Sequence, residues 1–352
     1  MNATPPLFAS LSHRVCCILL IFALTWAFFP LRAQGKDSLP YWQVEFPKTN
    51  FAKRAVNIEE IKTTGAHRDA IPPIWSPTFI PAQKAQDLGA HEPVISLRIS
   101  VYARAYPLRI LLWHEIVHDR ISDMELLVTY CALNNSSIVF DRKLAGSKNS
   151  QAILFGNTGR LRKFDTVMYD YKTETWWQRY TGRAIIGELV GSRLTQVPSR
   201  LESFGEFRDR NPKGKVLIPN KPKARHYGSS PYVRMDTSQG GGLELFKLPK
   251  SIRPYDRVVA VGSDAWTLNM LRERRVITAK DVVLRWVPGQ NSIHDTRIIS
   301  FGRDVGNVSV QRYNPALLIW QDALYNVPFA YAFKAFSPNG IIYHDIPSTG
   351  ND

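Results

Sequence analysis

The sequence predicts a β-rich α+β fold: two related β-sheet halves from an internal duplication, with short helices. Three observations carry this expectation. From Glu92 onward, apolar and polar residues alternate in short runs bounded by turn-forming residues, as half-buried strands require. Helical spacing is confined to brief stretches such as "PLRILLWHE" and "RLESFGEFRDR". Finally, a stretch starting at Asp256 can be laid over one starting at Glu92.

Taken in order, residues 1–33 have the character of an export signal. Arg14 precedes an apolar run from Val15 to Leu31, and "LRAQ" offers Leu31 and Ala33 to a signal peptidase. Pro30 and the modest length of the run favour cleavage over anchoring, although an uncleaved N-terminal anchor is the alternative. Residues 34–90 form a Pro-rich extended segment, as in "IPPIWSPTFIPAQKA". Residues 91–237 form the first β-rich repeat. In it, "EPVISLRISVYARAYPL" reads as a hairpin, Pro107 opens a short helix, and "MELLVTYC", "SSIVFDR" and "AILFG" read as strands. "DTVMYDYKTETWWQRYTGRAIIGELVGSRL" continues the alternation, and Ser199 is placed to cap the next helix. Residues 238–352, beginning at the glycine-rich "SQGGGLE", form a second, degenerate repeat.

Composition sets the class. The chain is 44% hydrophobic and 21% charged, which is globular rather than disordered, and its net charge is +15. The basic excess points to anionic neighbours such as envelope lipids or polyanionic polymers, with "NPKGKVLIPNKPKAR" (211–225) and "RERR" (272–275) as the densest stretches. A solvated surface accounts for both equally well. No nucleic-acid module is present, and no membrane span remains once the signal is removed. Cys16 and Cys17 leave with the signal, so Cys131 stands alone in the mature protein.

"HEIVH" (114–118) matches the letters of a zinc-protease helix. That chemistry needs both histidines one turn apart on a single helix, with the glutamate as general base and a third ligand downstream. In the overlay of the two repeats, Ala105-Tyr106 falls on Ala265-Trp266, Tyr130 on Trp286, and Ile116-Val117 on Val276-Ile277. "VIT" reads as a return to strand, because β-branched residues in series resist helix. The helix is therefore expected to stop near Glu115, leaving His118 beyond it, and "DRISDM", the six residues after His118, lacks the HxxGxxH extension that would bring a third ligand.

"DAIPPI", "VYARAYPLRILLWHEIVHD", "VTYCALNNSSIVFDR", "VMYDYKTETWWQRYTGRAIIGELVGSRL" and "FRDRNPKGKVL" together resemble a bacterial and archaeal family known as domain of unknown function 3179. The resemblance runs from about residue 69 to the C-terminus and implies no particular activity. The family usually has Asn where His118 stands, which makes the protease letters accidental; His114, Glu115 and Asp119 follow its pattern. It usually reads Tyr-Cys-Pro-Leu-Cys where this chain has Tyr130-Cys131-Ala132-Leu133-Asn134. Without the second cysteine, dithiol exchange loses its partner.

Three readings of this region stay open. A soft-metal site for copper or zinc would use Cys131, His114 and Met168, with His118 as a less apt ligand. A thiol nucleophile would use Cys131 activated by His114 and oriented by Glu115 or Asp119, as in a cysteine hydrolase or acyltransferase. Alternatively, Cys131 and Met168 are core and His114 finishes a helix. "WWQRY" (176–180) offers aromatic groups for a binding surface, although adjacent strand residues face opposite sides. "FGNTGR" and "SQGGGL" lack the lysine of a phosphate loop and read as turns. The functional expectation is a periplasmic or extracellular metal-handling or redox accessory protein centred on Cys131. Its alternatives are a non-catalytic envelope binding module and a cysteine enzyme.

Overall fold

The computed structural model describes residues 38–144, 151–239, 243 and 246–345. The signal-like segment 1–33 lies outside the described residues. Five α-helices of seven residues each are described: α1 (Leu39–Glu45), α2 (Leu108–His114), α3 (Phe204–Arg210), α4 (Leu268–Arg274) and α5 (Ala330–Phe336). Helices this short are unstable alone, so packing against the sheets must hold them. None is long and apolar enough to cross a membrane. The strands form five small sheets of three to five members.

Two of these sheets start alike. Pro93–Ile99 pairs antiparallel with Tyr102–Pro107, and Val258–Val261 pairs antiparallel with Asp264–Thr267. Each hairpin runs straight into a helix, α2 or α4. Each helix ends on a non-glycine residue with positive φ, Glu115 at 58° and Arg275 at 65°, whose N–H donates to the carbonyl of Leu111 or Leu271. A second hairpin follows in both places: Ile116–Ile121 with Met124–Cys131, and Val276–Ala279 with Val282–Val287. In both, the carbonyl of the helix-end residue accepts from the second strand of that hairpin, from Tyr130 N–H at 3.0 Å and from Trp286 N–H at 2.9 Å. Later, α3 leads to Lys215–Ile218, parallel to Tyr102–Pro107, and α5 leads to Ile341–Tyr343, parallel to Asp264–Thr267.

The largest apolar cluster draws on both stretches. Leu97, Tyr106, Leu111 and Val128 share it with Trp266, Leu271, Leu284 and Val308. Trp176 and Trp177 are both fully buried, and each enters a different smaller cluster. This is the opposite-face placement expected of strand neighbours. Neither indole is free to form an exposed binding platform.

Some local expectations differ from the structure. The segment 34–90 contains α1, whose Trp42 and neighbouring Phe46 pack on Trp176. The strand expected from "AILFG" begins at Phe155 and runs to Arg162. Ser199 does not cap a helix: Arg200–Ser203 is a strand paired with Pro93–Ser96, and Ser203 caps α3 by accepting from Glu206 N–H. Cross-strand pairing of Leu201 outweighed the local helix signal.

Candidate functional site

The protease letters separate at Glu115. α2 ends at His114 in a left-handed residue, and the β-branched Ile116 and Val117 enter the strand Ile116–Ile121 that carries His118. The two histidines then serve different neighbourhoods. His114 Nδ1 donates to the Pro72 carbonyl and its Nε2 accepts from the Tyr227 hydroxyl, each at 2.8 Å. Burial, with Arg225 nearby, holds its pKa below the ordinary value. His118 Nε2 accepts from Phe155 N–H at 2.9 Å, and its ring stacks on Trp75 at 4.4 Å. Burial lowers the pKa of His118 to about 3.

The other expected site residues are also committed elsewhere. Asp119 takes Arg104 and the Tyr106 hydroxyl. Met168 is core, facing Asn157 and Trp177 across neighbouring strands. Cys131 ends the strand Met124–Cys131 and is buried; burial, reinforced by the charge of Asp165, pushes its thiol up to about 12. A thiol so placed is protonated at neutral pH and is a poor nucleophile and ligand. Among the described residues, no group of three or more His, Cys, Asp or Glu side chains is arranged to hold a metal ion.

The structure instead brings Glu115 close to Cys131 through a residue that the sequence reading did not single out as a site. Arg179, fully buried, donates to Glu115 Oε2 at 2.8 Å, to Asn157 Oδ1 at 2.6 Å and to the Tyr130 carbonyl at 2.9 Å. Its Nε has no partner among the described residues. Burial disfavours the Arg179 charge, but Glu115 and its other anionic neighbours hold its pKa above the ordinary value. Beneath lies Asp165, equally buried, accepting from Asn134 Nδ2 at 2.8 Å, Gln178 Nε2 at 2.5 Å and Tyr180 N–H at 2.9 Å. Arg179 and Asp165 were visible as charges inside strand-like runs, which is the signal that could have flagged them.

Over this network opens a cavity of about 330 Å³, mostly apolar, whose lining includes Glu115, Asn157, Thr166, Leu133 and Tyr232. Thr166 Oγ1 is buried without a hydrogen-bond partner among the described residues. Gly159 shapes the wall. At φ 73° it lies within the register shift of the hairpin Phe155–Arg162/Asp165–Asp170, and a Cβ there would lie 2.4 Å from the Ala66 carbonyl oxygen.

The turn after Cys131 is fixed from far along the chain. The Ala132 carbonyl accepts from His294 Nε2 at 2.7 Å, the Leu133 carbonyl from the Tyr331 hydroxyl at 2.9 Å, and the Asn134 carbonyl from Phe329 N–H at 3.0 Å. Asn135, left-handed at φ 57°, donates from Nδ2 to the Val327 carbonyl at 2.7 Å. His294 Nδ1 accepts from Arg257 Nη2 at 3.2 Å, so the ring is neutral and bonded at both nitrogens.

A β-rich scaffold of short sheets and short helices, with a polar network buried under a small cavity, defines the class of protein. The chain belongs to the family described as "Protein of unknown function (DUF3179)", which it matches over residues 68–340. Neither the curated proteins nor the solved structures gave a match.

Proposed function

We propose that this protein is an exported, non-catalytic binding module, and that its ligand occupies the cavity over Glu115, Asn157, Thr166 and Tyr232. The observation that carries this reading is the unpartnered Thr166 hydroxyl in a mostly apolar cavity whose lining also includes Glu115 and Asn157 of the buried network. Ligand sites are typically apolar concavities with a few convergent polar groups. A buried hydroxyl without a partner is costly, and a ligand that bonds to it removes the cost. The chemistry favours a small, mostly apolar molecule bearing one neutral hydroxyl or amide group. The succession of hairpin, helix, hairpin, helix and parallel strand, met twice, supports an origin by duplication, with the cavity elaborated in one copy. Exposed Lys213, Lys221 and Lys223 would favour an anionic envelope surface nearby. The copper or zinc and thiol readings receive less support, because Cys131 is buried and both nitrogens of His114 are engaged elsewhere.

The test is ligand-observed NMR on the parent and on Thr166→Val, with n-hexanol and benzamide as probes. Thr166→Val preserves shape and removes the hydroxyl. Saturable binding to the parent, weakened about tenfold in the variant, supports the reading, a loss of roughly one neutral hydrogen bond. Equal binding to both, or none to the parent, would overturn it.

A further inference from the structure

A second cleft lies beside the strand that follows the Cys131 turn, where strands near Tyr180 meet the hairpin of Ala260 and the end of α5. Its volume is about 460 Å³, and Arg183, Arg193 and Arg312 line it with no aspartate or glutamate among the lining residues. Arg183 and Arg193 face each other across an isolated antiparallel bridge. Like charges directly opposite in such a pair repel. Arg312 has Asp281 at 2.6 Å, but neither Arg183 nor Arg193 has an ion pair or a side-chain hydrogen bond among the described residues.

Asn326 adds donors to the same cleft. Its Oδ1 accepts from Ser137 N–H at 3.1 Å and from Val327 N–H at 2.9 Å, which fixes the amide and leaves Nδ2 buried without a partner. A planar guanidinium presents donors in a fork that matches carboxylate and phosphate oxygens. We propose that this cleft binds an oxyanion, the carboxylate or phosphate group of a small molecule, between Arg183 and Arg193, with Asn326 Nδ2 as a third donor. Charge repulsion across the bridge and the unpartnered amide are both relieved by that one ligand. The assignment does not depend on the cavity over Glu115.

The experiment is thermal unfolding and calorimetric titration of the full chain with sodium phosphate and with sodium glucuronate, at ionic strength matched by sodium chloride. The parent, the Arg183→Gln/Arg193→Gln double variant and Arg285→Gln, an exposed arginine on the strand Val282–Val287 outside the cleft, are compared. The expected result is saturable binding of one or both anions to the parent and to Arg285→Gln, at least about tenfold weaker in the double variant. Without anion, the double variant should melt at or above the parent's temperature, because the repulsion is gone. The anion that binds more tightly identifies the ligand as a phosphate or a carboxylate. No binding to the parent, or equal binding to the parent and the double variant, would overturn the proposal.

Discussion

His118 and His294 are buried, neutral imidazoles, each held by a hydrogen bond to main chain. Burial, with Arg142 near one ring and Arg257 near the other, depresses both pKa values, His118 to about 3. In the unfolded chain a histidine titrates near pH 6.5. Above that pH, neither the folded nor the unfolded form carries the proton and the two rings contribute no pH dependence. Below it, the unfolded chain takes up protons that the folded rings refuse, so stability falls as pH drops from about 6.5 toward the folded values. Each ring contributes a slope approaching about 1.4 kcal/mol per pH unit. Urea unfolding at pH 7.5, 6 and 5 should show this loss. His118→Gln, which keeps an acceptor for Phe155 N–H, should lower the slope by up to about 1.4 kcal/mol per pH unit in that window. A variant with the parent's slope would show that His118 is not buried as a neutral ring.

Among elements, the hairpin Phe155–Arg162/Asp165–Asp170 is the one whose shape makes the cavity, and Gly159 is its weak point. Gly159→Ala imposes both a left-handed φ and a collision with a backbone oxygen, which no rotamer can relieve. A loss of about 2 kcal/mol or more in urea denaturation is expected, together with loss of cavity binding. Parent-like stability would mean that the register shift relaxes. Elements were largely legible in the sequence. Met124–Cys131 coincides with the strand expected from "MELLVTYC", and α2 stops where Ile116 and Val117 begin. The exceptions are instructive. Ser199 reads as the cap from sequence alone, but pairing of Arg200–Ser203 with a strand about a hundred residues earlier moves the cap to Ser203. The site was less legible. Glu115 and Cys131 were singled out by their letters, but the residue that ties Glu115 to the Cys131 strand, Arg179, read as one basic group in an aromatic run. Nothing local reveals that its guanidinium turns inward to the Tyr130 carbonyl.

At the scale of the molecule, the two repeat-like stretches share one apolar cluster, and the turn after Cys131 takes its partners from His294, Val327, Phe329 and Tyr331. A fragment ending at Gln239 would leave three carbonyls and the Asn135 amide of that turn without those partners. The same fragment would also expose Leu97, Tyr106, Leu111 and Val128, which lose Trp266, Leu271, Leu284 and Val308 as cover. Residues 34–239 alone are therefore expected to lack cooperative unfolding and dispersed amide resonances, and a well-folded fragment would show that the first stretch is self-sufficient. The same clamp orders events in time. Its bonds join residues up to 198 positions apart, so the turn closes only after nearly the whole chain has been made. Such non-local contacts slow folding. The Cys131 turn is therefore among the last parts of the molecule to take its final shape.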